Sequence, residues 1–173
     1  MDWYQTVLEL IDLRSFSNLW YWMAVAVVWS TASHWILGVP FDLVQRAARS
    51  GGQAEEDLEA LVRINLNRIF YVVRSSGAWL AGLVAAIHTS LLILGFGYDV
   101  EFLQAVFLLA FPMTIIGALN VWTGRRIVAE GARGDALRRL LSRHRLITQV
   151  IGVISIFITG LYGMAQNILV VSW

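Results

Sequence analysis

The chain has 173 residues, of which 58% are hydrophobic and only 14% charged, with a formal net charge of +1. A soluble domain carries about 25% charged residues, so that class is excluded, and a near-neutral balance argues against a general affinity for polyanions. Cysteine is absent, which removes disulfides, thiolate metal sites and cysteine nucleophiles, and lysine is absent too, so every basic residue is Arg.

Residues 1–17 put Trp3, Val7, Leu10, Ile11 and Leu13 partly on one helical face and predict a short interfacial helix on the outer membrane surface. Asp2, Glu9 and Asp12 outnumber Arg14, so this segment is not the basic head of a signal peptide and the apolar run behind it is expected to be retained. That run, about 18–37, is the first of four blocks with the length a helix needs to cross a bilayer, about 20 residues. Trp20, Tyr21 and Trp22 suit its outer boundary and Trp35 its inner one.

The segment 39–75 follows. Within it Gly51 and Gly52 precede Glu55, Glu56 and Asp57, acids that suit the positive end of a helix dipole. Leu58, Leu61, Val62, Asn65, Leu66 and Ile69 then recur at helical spacing, which predicts one helix running from near Ala54 straight through a second span at 76–97. Only Tyr98 to Glu101 separate it from a third span, 102–122, so the two form a tight antiparallel hairpin. Pro112 sits centrally in that third span and frees the carbonyl of Leu108.

The segment 123–145 repeats the design. Gly131 and Gly134 break the chain, Asp135 is a good N-cap, and Leu137, Leu140, Leu141, His144 and Thr148 share a face. The fourth span, 146–168, is thus expected to begin as an extension near Ala136. Both extensions point the same way: Glu55 to Glu59 either meet Arg138, Arg139 and Arg143, or the two helices are solvated separately.

Arginine sets the direction. Segment 39–75 holds Arg46, Arg49, Arg63, Arg68 and Arg74, and 123–145 holds seven more, leaving only Arg14 for the other side. The bias predicts an all-α polytopic protein, one four-helix domain over 1–173, multi-pass in a bacterial inner membrane, with both termini periplasmic and both basic segments cytoplasmic.

Chemistry is sparse. The cluster Arg125, Arg126, Arg138, Arg139, Arg143 and Arg145 has no aromatic residue interleaved, which speaks against nucleic acid; it is a candidate surface for a cytoplasmic partner or for anionic lipid. His88 is an ionisable group at membrane depth and with Asn120 forms a candidate intramembrane polar site, its expected partner being Asn120, Ser155 or Thr159. A b-type haem fits poorly between His34 and His88: by helical rise they lie about 24 Å and about 12 Å from the outer edge. The four spans contain no Asp, Glu or Arg, as a proton or substrate path would want, and the chain has no HExxH, GxSxG or Walker sequence. The expectation is therefore no catalytic activity, no metal, no cofactor and no small-molecule substrate. Ala78, Gly82, Ala85, Ala86 and Thr89 form a stripe of small residues in span two, and Gly160 and Gly163 another in span four, as faces for close helix packing.

The stretches MDWYQTVLELIDLRSFSNLWYW, STASHWILGVPFD, GGQAEEDLEALVRINLNR, AVFLLAFPMT and SRHRLITQVIGVISIF together resemble a family of small alphaproteobacterial membrane proteins labelled "component of SufBCD complex". The resemblance covers nearly the whole chain and implies a bacterial inner membrane and, by the label, a link to iron–sulfur cluster assembly; it brings no active-site residues. The expected function is a non-catalytic accessory subunit or assembly factor of a larger respiratory or photosynthetic membrane complex. The alternatives are the small four-helix subunit of a transporter and a b-type haem protein.

Overall fold

Asn18 accepts the Trp20 amide on its side chain at 3.0 Å and so caps the first helix, α1, Leu19–His34. In the computed structural model, which describes Phe16 and residues 18–171, this helix has 16 residues, or about 24 Å. The predicted helix over 18–37 is therefore cut short. Trp35–Ile36 (β1) pairs antiparallel with Val39–Pro40 (β2), and the two residues between, Leu37 and Gly38, both have positive φ, 54° and 75°. A two-residue hairpin turn with both φ positive matches the right-handed twist of its strands. Gly38 is needed for a second reason: a Cβ there would lie 3.0 Å from Asn65 Nδ2, the atom that donates to the Gly38 carbonyl. The predicted interfacial helix at 1–17 falls outside the described residues except for Phe16.

The segment 39–75 also holds a helix not foreseen from the pattern, α2, Phe41–Ser50, with Val44 and Ala47 buried. Gly51 and Gly52, both at positive φ, reverse the chain into α3, Gly52–Leu92, which continues as a π-helical turn over Ile93–Gly97. Asp99, at φ 56°, turns the chain into α4, Glu101–Glu130. Gly131 ends α4 in the left-handed conformation, and α5, Gly134–Val171, returns. The two extensions drawn from the sequence are thus continuous with their apolar halves.

The molecule has two ends of different character. At the arginine-rich end a conventional core forms from Ile36, Leu37 and Val39 of the hairpin, Val44 and Ala47 of α2, Leu58, Val62 and Leu66 of α3, Ile127 of α4, and Leu137 and Leu141 of α5. Away from it the helices turn their apolar side chains outward, as with Trp79 (85% exposed), Leu83, Ile87, Val153 and Phe157. Water drives the first arrangement; lipid, in which a leucine gains little by hiding, permits the second, and there a smaller cluster of Val25, Trp29 and Ile116 is buried between helices.

The inward seam of α5 follows the same logic. His144, Thr148, Ser155 and Thr159 are buried, with Gly152 and Gly163 on the same face. Trp29 of α1 packs on Gly152, where a Cβ would lie 2.7 Å from Trp29 Cε3, and Phe16 packs on Gly163. Ser155 Oγ donates to the Leu108 carbonyl at 3.5 Å, the outer limit for a hydrogen bond, so the group freed by Pro112 finds a partner on the next helix.

Candidate functional site

His88 Nδ1 donates to the Val84 carbonyl one turn back at 2.8 Å, and its Nε2 lies 3.3 Å from Thr114 Oγ1 on α4. Its ring meets Phe107 and Phe111 edge-on. The partner is Thr114, neither Asn120 nor Ser155 nor Thr159. The reason is placement: Phe107 and Phe111 also line the α4–α5 groove with Ser155 and Thr159, so they stand between those hydroxyls and His88. Asn120 lies six residues beyond Thr114 on the same helix, about 9 Å along its axis. His88 and Asn120 do not form one site.

Asn120 belongs elsewhere. It lines a groove of about 340 Å³ under the Leu37–Gly38 turn, together with Asn65, Arg68, Val72 and Val73 of α3. No single stretch of sequence announces this groove; the weak signals were an Asn and an Arg three residues apart on α3 and an Asn close to Trp122.

The arginine cluster divides. Arg126 pairs with Glu130 at 2.6 Å and lies over Trp122. Arg138 is bound by Glu55 and Asp135, and nearby Glu59 Oε1 accepts the Gly134 amide at 2.9 Å. The Arg138–Glu55 and Gly134–Glu59 contacts join the α3 and α5 extensions, so the acidic start of one helix meets the basic start of the other. Arg145 lies 3.9 Å over the Phe41 ring, with its Nε buried and lacking a hydrogen-bond partner among the described residues. Arg125, Arg139 and Arg143 are exposed. Three of the six arginines are therefore engaged by neighbouring side chains, and two of them, Arg138 and Arg145, tie separate elements together.

His144, just outside the fourth apolar block, is 3% exposed, and its Nδ1 lies 2.9 Å from Thr123 Oγ1. Burial pushes its pKa down from 6.5 to about 4, so the ring is neutral at pH 7. His34 sits at the end of α1 against Trp35. The three histidines occupy three separate environments, and among the described residues no group of three or more His, Cys, Asp or Glu converges to hold a metal ion.

At the opposite end a polar cluster ties the helices together. Phe16 N donates to Glu101 Oε1 at 2.9 Å, Tyr21 OH to the Ala105 carbonyl at 3.1 Å, and Gln104 Nε2 to Gly95 O and Asp99 Oδ1, both at 2.9 Å. Gln166 Nε2 donates to Tyr162 OH at 2.9 Å and reaches Gln104 Oε1 at 3.4 Å.

Among the described residues the chain is an all-α protein, apart from its short hairpin, with three helices long and apolar enough to cross a membrane: those of Gly52–Gly97, Glu101–Glu130 and Gly134–Gln166. Comparison with known proteins finds no matching family model, no curated relative and no similar solved structure.

Proposed function

We propose that the protein is a non-catalytic subunit or assembly factor that packs into a larger complex of a bacterial inner membrane, crossing it four times with both termini periplasmic. The observation that carries this reading is the state of α3. Within the membrane its close neighbour is α4, and its small-residue stripe of Ala78, Gly82, Ala85, Ala86 and Thr89 is exposed along its length. A Cβ added at Gly82 would meet nothing within 4 Å, whereas the glycines of α5 at 152 and 163 are already covered by Trp29 and Phe16. Small residues let two membrane helices approach closely, and a face of this kind on a helix with one neighbour suits a further helix.

Four spans are supported by where the ends of α1 lie. Phe16 is bonded to Glu101, beside the Tyr98–Val100 turn, while Ile36 is buried in the core at the arginine-rich end. The chain between them runs from one end of α4 to the other. Cytoplasmic placement of the arginine-rich end rests on the positive-inside bias.

The test is purification from native membranes in mild detergent, with co-migrating proteins identified and the visible spectrum recorded. A larger membrane complex at fixed stoichiometry is expected, released by Gly82→Leu or Ala86→Leu. A chain that purifies alone, or as a homo-oligomer, overturns the reading; a multi-span transporter as the companion moves it to transport, and a haem spectrum to electron transfer.

A further inference from the structure

We infer that the groove between α3 and α4 beneath the Leu37–Gly38 turn binds one anionic glycerophospholipid. The inference rests on the membrane reading above, not on the role as a subunit. The groove, about 340 Å³, changes chemistry along α3. Toward the arginine-rich end it offers Asn65 and Arg68; toward the apolar half it offers Ile69, Val72 and Val73. Asn120 faces them from α4.

Two of its polar groups have nothing to bind within the described residues. Arg68 is exposed and, like most of the described arginines, forms no ion pair there; what sets it apart is that it lines this groove beside Ile69, Val72 and Val73. Asn120 is half-buried, and its amide makes no side-chain hydrogen bond there, while Asn65 is held by the Gly38 carbonyl. An unpaired guanidinium is a charge-assisted donor for a phosphate, and an unpaired amide can donate to an ester carbonyl. The apolar wall beyond them fits the first methylenes of an acyl chain.

The depth agrees. Tyr71, 74% exposed, and Trp122, 51% exposed, lie on α3 and α4 close to the groove residues in sequence, and amphipathic rings of this kind settle at headgroup level. Basic pockets between membrane helices at that level take anionic headgroups. A free phosphate would use Arg68 but leave the apolar wall empty; a phospholipid uses both.

The test is native mass spectrometry of the detergent-purified full chain after exchange into dioleoylphosphatidylglycerol or dioleoylphosphatidylcholine. One retained phosphatidylglycerol per chain is expected, with phosphatidylcholine lost under the same activation. Arg68→Gln should lower retention about five- to tenfold, in line with the contribution of one interfacial arginine, and Arg133→Gln, outside the groove, should not. Asn120→Leu reads the same site if Arg68→Gln fails to accumulate. Equal retention of both lipids, unchanged retention in both groove variants, or displacement by excess inorganic phosphate overturns the proposal. Loss of a co-purifying complex with phosphatidylglycerol still bound would sink the subunit reading alone, and the reverse result would sink the lipid site alone.

Discussion

His144 is a base held neutral by burial, and its cost is paid only when it must charge. In the unfolded chain it titrates near 6.5, in the folded one near 4. Between those values the unfolded state binds more protons, so stability is full above pH 6.5 and falls as pH drops toward 4. At pH 5 the loss is about 2 kcal/mol. Thermal melts in detergent should show a Tm that falls between pH 7.5 and 5 in the wild type and much less in His144→Gln; equal slopes would mean that His144 is not the titrating group. Gly152 is the second residue whose side chain, or lack of one, decides a contact. A Cβ there would lie 2.7 Å from Trp29 Cε3, against an indole with no room to swing at 6% exposure. Gly152→Val should cost about 1–3 kcal/mol by pushing α1 off α5. Trp29→Leu in the same chain should recover part of the loss, and strictly additive melts would show that the two residues do not share the contact.

At the scale of elements, the question is what clamps the α3 and α5 extensions together. Arg138 and Glu55 form a part-buried ion pair, their side chains 17% and 30% exposed, which water still reaches, so its net contribution stays on the order of 1 kcal/mol. Leu141 and Leu58, at 0% and 1% exposure, lie in the core between the same helices. Leu141→Ala should therefore cost about 2–5 kcal/mol, several times the coupling measured by a Glu55→Gln, Arg138→Gln cycle. If the cycle matched the alanine variant, charge rather than packing would hold the extensions. This division was partly legible in the sequence. Leu58, Val62 and Leu66, like Leu137 and Leu141, repeat at helical spacing behind glycine and acid, and long periodic helices announce themselves. The hairpin did not, because its first turn position is Leu37, a bulky residue at φ 54° that carries no turn signal and is held there by its own burial. Helix α2 is only ten residues long, with two buried positions, too short for periodicity to stand out. His88 found Thr114, and Asn120 joined Arg68, because of which helices cross and at what height, which no local pattern records.

For the whole molecule, the open quantity is how many times the chain passes through the bilayer. Helix α1 alone, about 24 Å long, is shorter than a hydrocarbon core of about 30 Å. Its flanks make up the difference: Phe16 is bonded at the Glu101 end and Ile36 is buried among Leu58 and Leu141 at the other. Since α3, α4 and α5 alternate between those same ends, the N-terminus is expected on the side of the Tyr98–Val100 turn and of the C-terminus. The twelve arginines of 39–75 and 123–145 then share the opposite side. Alkaline phosphatase should be active when fused at either terminus and inactive when inserted after Arg133, with a fluorescent protein giving the inverse. An active enzyme after Arg133 would invert the orientation. An inactive N-terminal fusion beside an active C-terminal one would leave three spans, and α1 would have to reach the arginine-rich core without crossing. That outcome conflicts with the Phe16–Glu101 hydrogen bond, so Glu101→Gln, which weakens the bond while keeping its geometry, should leave the fusion pattern unchanged but lower the Tm, by about 1 kcal/mol in stability.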